Sequence, residues 1–153
     1  MPLRVAVVTE SFLPSINGVT NSVIRVLESL KADGHEAIVL APTSNAAEFL
    51  GFRVIRISRF YIKQFAVALP HLRLESILRD FNPDVVHVAA PFAFGRQAIS
   101  VANRMGVPAI AIYQTDIAGY AQRYGVPGLR PLIDRLIGAI HRRATVNLAP
   151  TAE

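Results

Sequence analysis

The chain contains no cysteine. Disulfides, thiol nucleophiles and cysteine-held metals are therefore excluded, and a reducing compartment is permitted without being demanded. Charged residues make up only 18 % and aromatics only 8 %. No run reaches the roughly 18 consecutive apolar residues that a membrane-spanning helix needs. The opening, MPLRVAVVTE, turns polar too early for a secretory leader. The expected location is cytoplasmic. No internal repeat and no low-complexity tract is visible. Three motifs are also missing. Without G-x-G-x-x-G there is no dinucleotide fingerprint, without Gly-Lys-Ser/Thr no P-loop, and without G-x-S-x-G no nucleophile elbow. No histidine and carboxylate set has metal-ligand spacing, so no metal is expected.

What is present is a core. Hydrophobic residues are 52 % of 153, chiefly Val, Ile, Leu and Ala, enough for one folded domain. Lys and Arg number 16 against 11 Asp and Glu, a net charge of +5. That surplus suits anionic partners, or is simply a basic surface.

Short β-branched runs read as strands at 4–8, 36–41, 53–57, 84–89, 109–113 and 145–149. Several are apolar on both faces, as parallel strands covered on each side must be. Between them runs a helical period. Val19, Val23, Val26, Leu27 and Leu30 share one face, and Gly34 reads as the C-cap. Leu74, Ile77, Leu78 and Phe81 repeat the spacing until Pro83 stops it. Phe94, Ala98, Val101, Ala102 and Met105 do the same ahead of Gly106. Leu129, Leu132, Ile133, Leu136, Ile137 and Ile140 form the longest stripe, closed by the basic run 141–143. Segments 43–52 and 58–70 show neither period and fit short strands, short helices or loops. The alternation predicts an α/β fold: a single Rossmann-like, doubly wound, mainly parallel sheet with helices on both faces. Ligands of such sheets bind beyond the carboxyl ends of the strands, which directs attention to loops 9–18, 42–48, 90–95 and 114–128.

In loop 9–18, Asn17 is a candidate N-cap, and the amides from Gly18 to Asn21 would stand at a positive helix end. This is either a cradle for one phosphate or an ordinary capped start. In 114–128, Gln114, Thr115 and Asp116 follow a strand directly, with Tyr120 and Tyr124 beyond. Polar groups beside tyrosines suit a sugar or polyol, while Asp116 also fits a plain N-cap. His87, inside DVVHVA, reads as a core residue. The stretch 52–65 interleaves Arg53, Arg56, Arg59 and Lys63 with Phe60, Tyr61 and Phe65. It fits an anionic membrane surface, or an edge strand with a basic face; single-stranded nucleic acid is the least favoured partner.

Three motifs carry a resemblance: TESFLP with NGV in the opening, PDVVH at 83–87, and YQTD at 113–116. In this register nearly the whole chain resembles the N-terminal domain of family-four retaining glycosyltransferases of the two-Rossmann (GT-B) fold. Within the family it looks most like actinobacterial GDP-mannose-dependent α-mannosyltransferases that act on phospholipid and glycolipid acceptors. The resemblance implies that Asn17, Gly18 and Val19 approach the donor diphosphate. It implies catalytic positions at Gln114 and Asp116, and acceptor contacts from Glu10, Phe12, Pro91, Thr115 and Tyr120. Arg56, Arg59, Phe60 and Lys63 become the expected membrane contacts, at the inner face of the plasma membrane. Where many relatives carry a histidine this chain has Gln114, which can hydrogen-bond a sugar hydroxyl but cannot relay a proton. The implied partners are a nucleotide-sugar donor and a lipid-linked acceptor.

Family members are about twice as long, with a second domain that holds the nucleotide through a Glu-x7-Glu motif. Glu28 and Glu36 have that spacing but straddle a helix end and a turn, a chance match. Residues 1–153 are thus expected to be the acceptor-side domain, with the donor-binding domain absent from this chain and the isolated piece inactive. The alternative is a stand-alone Rossmann-like module that binds an anion or a partner without catalysis.

Overall fold

A computed structural model describes residues 1–42, 46–62, 65–114 and 127–149 of the chain. Alternating small apolar side chains make β1 (Arg4–Thr9) apolar on both faces, and it lies inside a sheet. It pairs in parallel with β2 (Glu36–Ala41) on one side and β7 (Val85–Ala89) on the other, Val7 standing opposite Val39 and His87. Outside β2 come β4 (Phe52–Arg56) and the antiparallel β3 (Glu48–Phe49). Outside β7 come β8 (Ala109–Ile112) and β9 (Val146–Leu148), both parallel. The sheet order is β3-β4-β2-β1-β7-β8-β9. All six expected strands are present.

Among the described residues four α-helices follow the apolar stripes: α1 (Gly18–Ala32), α2 (Leu74–Phe81), α3 (Ala93–Met105) and α4 (Arg130–His141). Val23 and Leu27 of α1 cover one face of the sheet, against Val5, Val7, Val39 and Val54. Leu78 of α2, Phe94 and Ala98 of α3 and Ile140 of α4 cover the other, against Ala6, Val8, Leu40 and Val88. The sheet is therefore doubly wound. Each fully buried Leu or Val contributes about 1.5–3 kcal/mol, and both faces are lined with them.

Helix ends fall where the residues require. Gly34, at φ +74, ends α1; its amide donates to the Lys31 carbonyl and that of His35 to the Leu30 carbonyl, closing a Schellman turn. Asn82, at φ +50, ends α2 one residue before Pro83. Segment 43–52 holds β3, and 58–70 holds a hairpin detached from the main sheet, β5 (Arg59–Ile62) with β6 (Phe65–Ala68). The Leu69 amide donates to the Ser58 carbonyl at 2.8 Å and closes its base. The next turn is clasped to α3: the His71 amide donates to Gln97 Oε1 at 2.7 Å, and Gln97 Nε2 donates to the His71 carbonyl at 2.8 Å. Among the described residues no helix is long and apolar enough to cross a membrane.

Candidate functional site

The strand order reverses direction between β1 and β7: α1 carries the chain from β1 to β2, while β8 and β9 build outward from β7. The crevice beyond the carboxyl ends of these two strands is where such sheets hold ligands. Two helix starts open into it, those of α1 and α3.

The loop to α1 is laced by short-range bonds. Thr9 Oγ1 donates to the Ser11 carbonyl at 2.7 Å, and Thr20 Oγ1 to the Ser15 carbonyl at 2.8 Å. Asn17 is the N-cap: its Oδ1 accepts from the Thr20 amide at 3.0 Å, and its Nδ2 donates to Ser11 Oγ at 2.7 Å. The Asn21 amide reaches the Asn17 carbonyl, the first helical bond. That leaves the amides of Gly18 and Val19 without an acceptor among the described residues, at a helix start with no acidic residue in its first turn. A Cβ on Gly18 would meet nothing within 4 Å, and the residue is exposed.

Gln114, just past β8, is drawn onto the same helix. Its Nε2 donates to Ser22 Oγ at 2.7 Å, across 92 residues of sequence. Its Oε1 is buried and accepts no hydrogen bond from any described residue. The structure thus brings together Asn17, Gly18, Val19 and Gln114 at α1. Thr115, Asp116, Tyr120 and Lys63 lie outside the described residues.

The start of α3 is built differently. Its N-cap, Phe92, offers no side-chain cap. Instead Glu10, the residue after β1, places its Oε1 against the Phe92 amide at 2.9 Å and the Gly95 amide at 2.8 Å. Burial pushes the Glu10 carboxyl up to about 7, against the downward pull of backbone groups of Gly95, Phe92, Phe94 and Ala68. The chain turns into this start through Ala90, at φ +49. Gly95 is hemmed in, since a Cβ there would lie 2.7 Å from Pro91 Cβ and 2.9 Å from Val88 Cγ1.

Three of the residues expected to contact the acceptor are placed as follows. Glu10 is engaged with α3. Phe12 is fully buried, edge-on to Phe49 with ring centroids 5.5 Å apart, and packs in the core under α1. Pro91 is buried against the start of α3. No local pattern reveals any of these, because each depends on what another segment brings over it. His87 is buried with Nε2 unpartnered among the described residues, and burial lowers it to about 4, so it is a neutral core side chain. On the hairpin the Arg59 guanidinium stands 5.2 Å from the Tyr61 ring centroid. Phe60 and Tyr61 are 41 % and 59 % exposed, and Arg56 on β4 is exposed.

Sheet order, helix placement and crevice define a Rossmann-like α/β domain with two amides of a helix start, those of Gly18 and Val19, left open at its switch point. Residues 16–153 match Glycosyltransferase Family 4, and the chain belongs to that family. It is 44 % identical to a GDP-mannose-dependent alpha-mannosyltransferase of Corynebacterium glutamicum, over 99 % of this chain and 38 % of that protein. A protein of the same name from Mycobacterium tuberculosis is 45 % identical, over 97 % of this chain and 42 % of its own length. An alpha-monoglucosyldiacylglycerol synthase of Acholeplasma laidlawii is 32 % identical over 77 % of this chain and 31 % of its own length. The chain therefore spans about two fifths or less of these relatives. The fold is shared with a crystal structure of a glycosyltransferase from Rickettsia africae, at TM-score 0.53 and 15 % identity, over 79 % of this chain and 34 % of the other.

Proposed function

We propose that this chain is the acceptor-side half of a retaining glycosyltransferase that moves mannose from GDP-mannose to a lipid-linked acceptor. The observation that carries the reading is the convergence, at the switch crevice, of the open α1 start with the unsatisfied Gln114 oxygen. The relatives' names supply the sugar, the nucleotide and, through the diacylglycerol of the Acholeplasma protein, the lipid character of the acceptor.

In this reading the open amides of Gly18 and Val19 face the donor diphosphate, where fixed dipoles stabilise charge that grows as the glycosidic bond breaks. Gly18 is glycine because phosphate, not protein, approaches it. Gln114 has its Nε2 committed to Ser22, so Oε1 accepts from a hydroxyl of the transferred sugar and fixes its orientation. Asp116 orients the acceptor hydroxyl, with Thr115 and Tyr120 beside it. The departing phosphate takes the acceptor's proton on the face it leaves, which retains configuration. The reaction uses neither metal nor cofactor. Most of the nucleotide is held by a second domain, in the part of the relatives' length that this chain does not span, and closure of the two domains completes the site. Alone, residues 1–153 fold and do not transfer sugar. Arg56, Arg59, Phe60 and Lys63 rest on the anionic inner face of the membrane, where each basic residue adds about 1 kcal/mol.

Calorimetric titration of GDP-mannose, GDP and UDP into this chain and into a two-domain enzyme that contains it tests the reading. Tight GDP-mannose binding to the longer protein alone supports it. Equal affinity for the short chain would favour a self-sufficient binding module. Changing Arg56, Arg59 and Lys63 to Glu is expected to abolish sedimentation with phosphatidylglycerol vesicles; unchanged sedimentation removes the membrane role.

A further inference from the structure

Two helix starts face the switch crevice, and physical chemistry makes both attractive to a phosphate. Only one is open. At α3 the amides of the N-cap and of the third helical residue, the pair that a capping box normally satisfies from within its own turn, are taken by Oε1 of Glu10. That carboxylate comes from the end of the neighbouring strand, 82 and 85 residues away in sequence. Gly95 is the structural counterpart: a Cβ would lie 3.5 Å from Glu10 Oε1, and far closer to Pro91 and Val88. Helix, strand end and carboxylate are thus fitted to one another without a gap. At α1 the cap is a neutral amide, and the first turn holds no acid.

We propose that Glu10 is a specificity-determining residue of the crevice: a built-in anion that closes the α3 start to phosphate and so assigns the donor's charge to α1. Glu10 does this without touching the substrate. Above about pH 7, where Glu10 is ionised, its carboxylate offsets the positive end of α3, occupies the Phe92 and Gly95 amides, and repels any second anion placed there. A diphosphate entering the crevice then has one orientation rather than two, and the sugar it carries is delivered to the Gln114 side. The inference rests on the reading that an anionic donor docks at α1, yet its central claim concerns α3 and is tested separately.

The test is a pyrophosphate titration at pH 8 of the 15N-labelled 153-residue chain and two variants, followed by amide chemical shifts. In the unaltered chain the amides of Gly18 and Val19 are expected to move, and those of Phe92 and Gly95 to stay. In Glu10→Ala a second saturable set appears at Phe92 and Gly95. Should that variant fail to fold, Glu10→Gln decides: it keeps both hydrogen bonds through Oε1 and removes only the charge. Its α1 affinity for pyrophosphate should rise about three-fold, as loss of a like charge across a solvated crevice implies. Movement of Phe92 and Gly95 in the unaltered chain overturns the proposal. So does a folded Glu10→Ala chain that shows no second set, or unchanged affinity in Glu10→Gln. If Gly18 and Val19 never move while Glu10→Ala gains the α3 set, the α1 donor site fails and the role of Glu10 stands.

Discussion

The starts of α1 and α3 follow neighbouring strands, open at the same edge of the sheet, and each carries a glycine in its first turn. They are nonetheless opposites. At α1 a local residue, Asn17, supplies a neutral cap, two amides stay open, and Gly18 borders empty space. At α3 the cap is a distant carboxylate that takes the amides of Phe92 and Gly95, and Gly95 is pressed against Pro91 and Val88. One start is closed by the protein for the sake of its own packing. The other is finished only as far as the helix needs, and what remains is suited to a ligand. A glycine after a strand therefore has no single meaning; what a Cβ would meet decides it.

The largest effect expected from breaking this contrast is on the pH dependence of stability. Glu10 is raised by burial to about 7, so the folded state holds a proton that the unfolded state releases near the ordinary 4.5. Its contribution is fully present below pH 4.5 and is lost as pH rises through 7. His87 is lowered by burial from 6.5 to about 4, so its contribution is present above 6.5 and lost as pH falls through 4. Between pH 4.5 and 6.5 the two slopes oppose. Urea unfolding should therefore show a nearly flat profile there for the unaltered chain. Glu10→Gln should leave stability rising with pH, and His87→Leu should leave it falling, each by up to about 3 kcal/mol. If Glu10→Gln leaves the profile unaltered, the carboxylate is not buried at α3.

The glycines offer the next test. Gly95→Ala forces a Cβ into the ring of Pro91 and the methyl of Val88, so a loss of about 2 kcal/mol or more is expected in urea unfolding. Gly18→Ala meets nothing and lowers the entropy of the unfolded chain, so stability should rise by about 0.5 kcal/mol. The same change should weaken pyrophosphate binding, since the methyl stands where the anion approaches. Equal costs at both positions would erase the distinction between the starts.

How far the sequence foretold these features follows from distance along the chain. Strands and helices were legible because apolar periodicity is local: Val5 to Val8 declare both of their faces without help. Segment 58–70 was not, because Arg59, Phe60 and Tyr61 alternate neither cleanly nor apolarly and form a hairpin outside the main sheet. At the site, the Asn17 cap was legible, its partner Thr20 being three residues on. Gln114 was flagged by its place at a strand end, but its bond to Ser22 spans 92 residues and leaves no trace in either segment. Glu10, Phe12 and Pro91 are expected at the acceptor by resemblance; in the fold Glu10 bonds the start of α3 while Phe12 and Pro91 are buried. Their motif does not say which side chains another segment will cover.

The smallest change in stability should come from Asn17→Asp, and it is also the most telling. Asn17→Ala removes the cap to Thr20 and the bond to Ser11, a loss of about 1 kcal/mol. Asn17→Asp keeps an oxygen for the Thr20 amide and can accept from Ser11 Oγ. It also places a negative charge at the positive end of the helix, worth about 0.3–1 kcal/mol in its favour. Stability in urea should then be unchanged or slightly higher. Yet the substitution copies onto α1 what Glu10 does for α3: it supplies the anion from within. Pyrophosphate shifts at Gly18 and Val19 should therefore shrink in Asn17→Asp while the helix is intact, and persist at reduced affinity in Asn17→Ala only through the cost of the lost cap. If Asn17→Asp binds as well as the unaltered chain, a helix start filled by its own carboxylate still accepts phosphate, and the closed state of α3 loses its meaning for the donor.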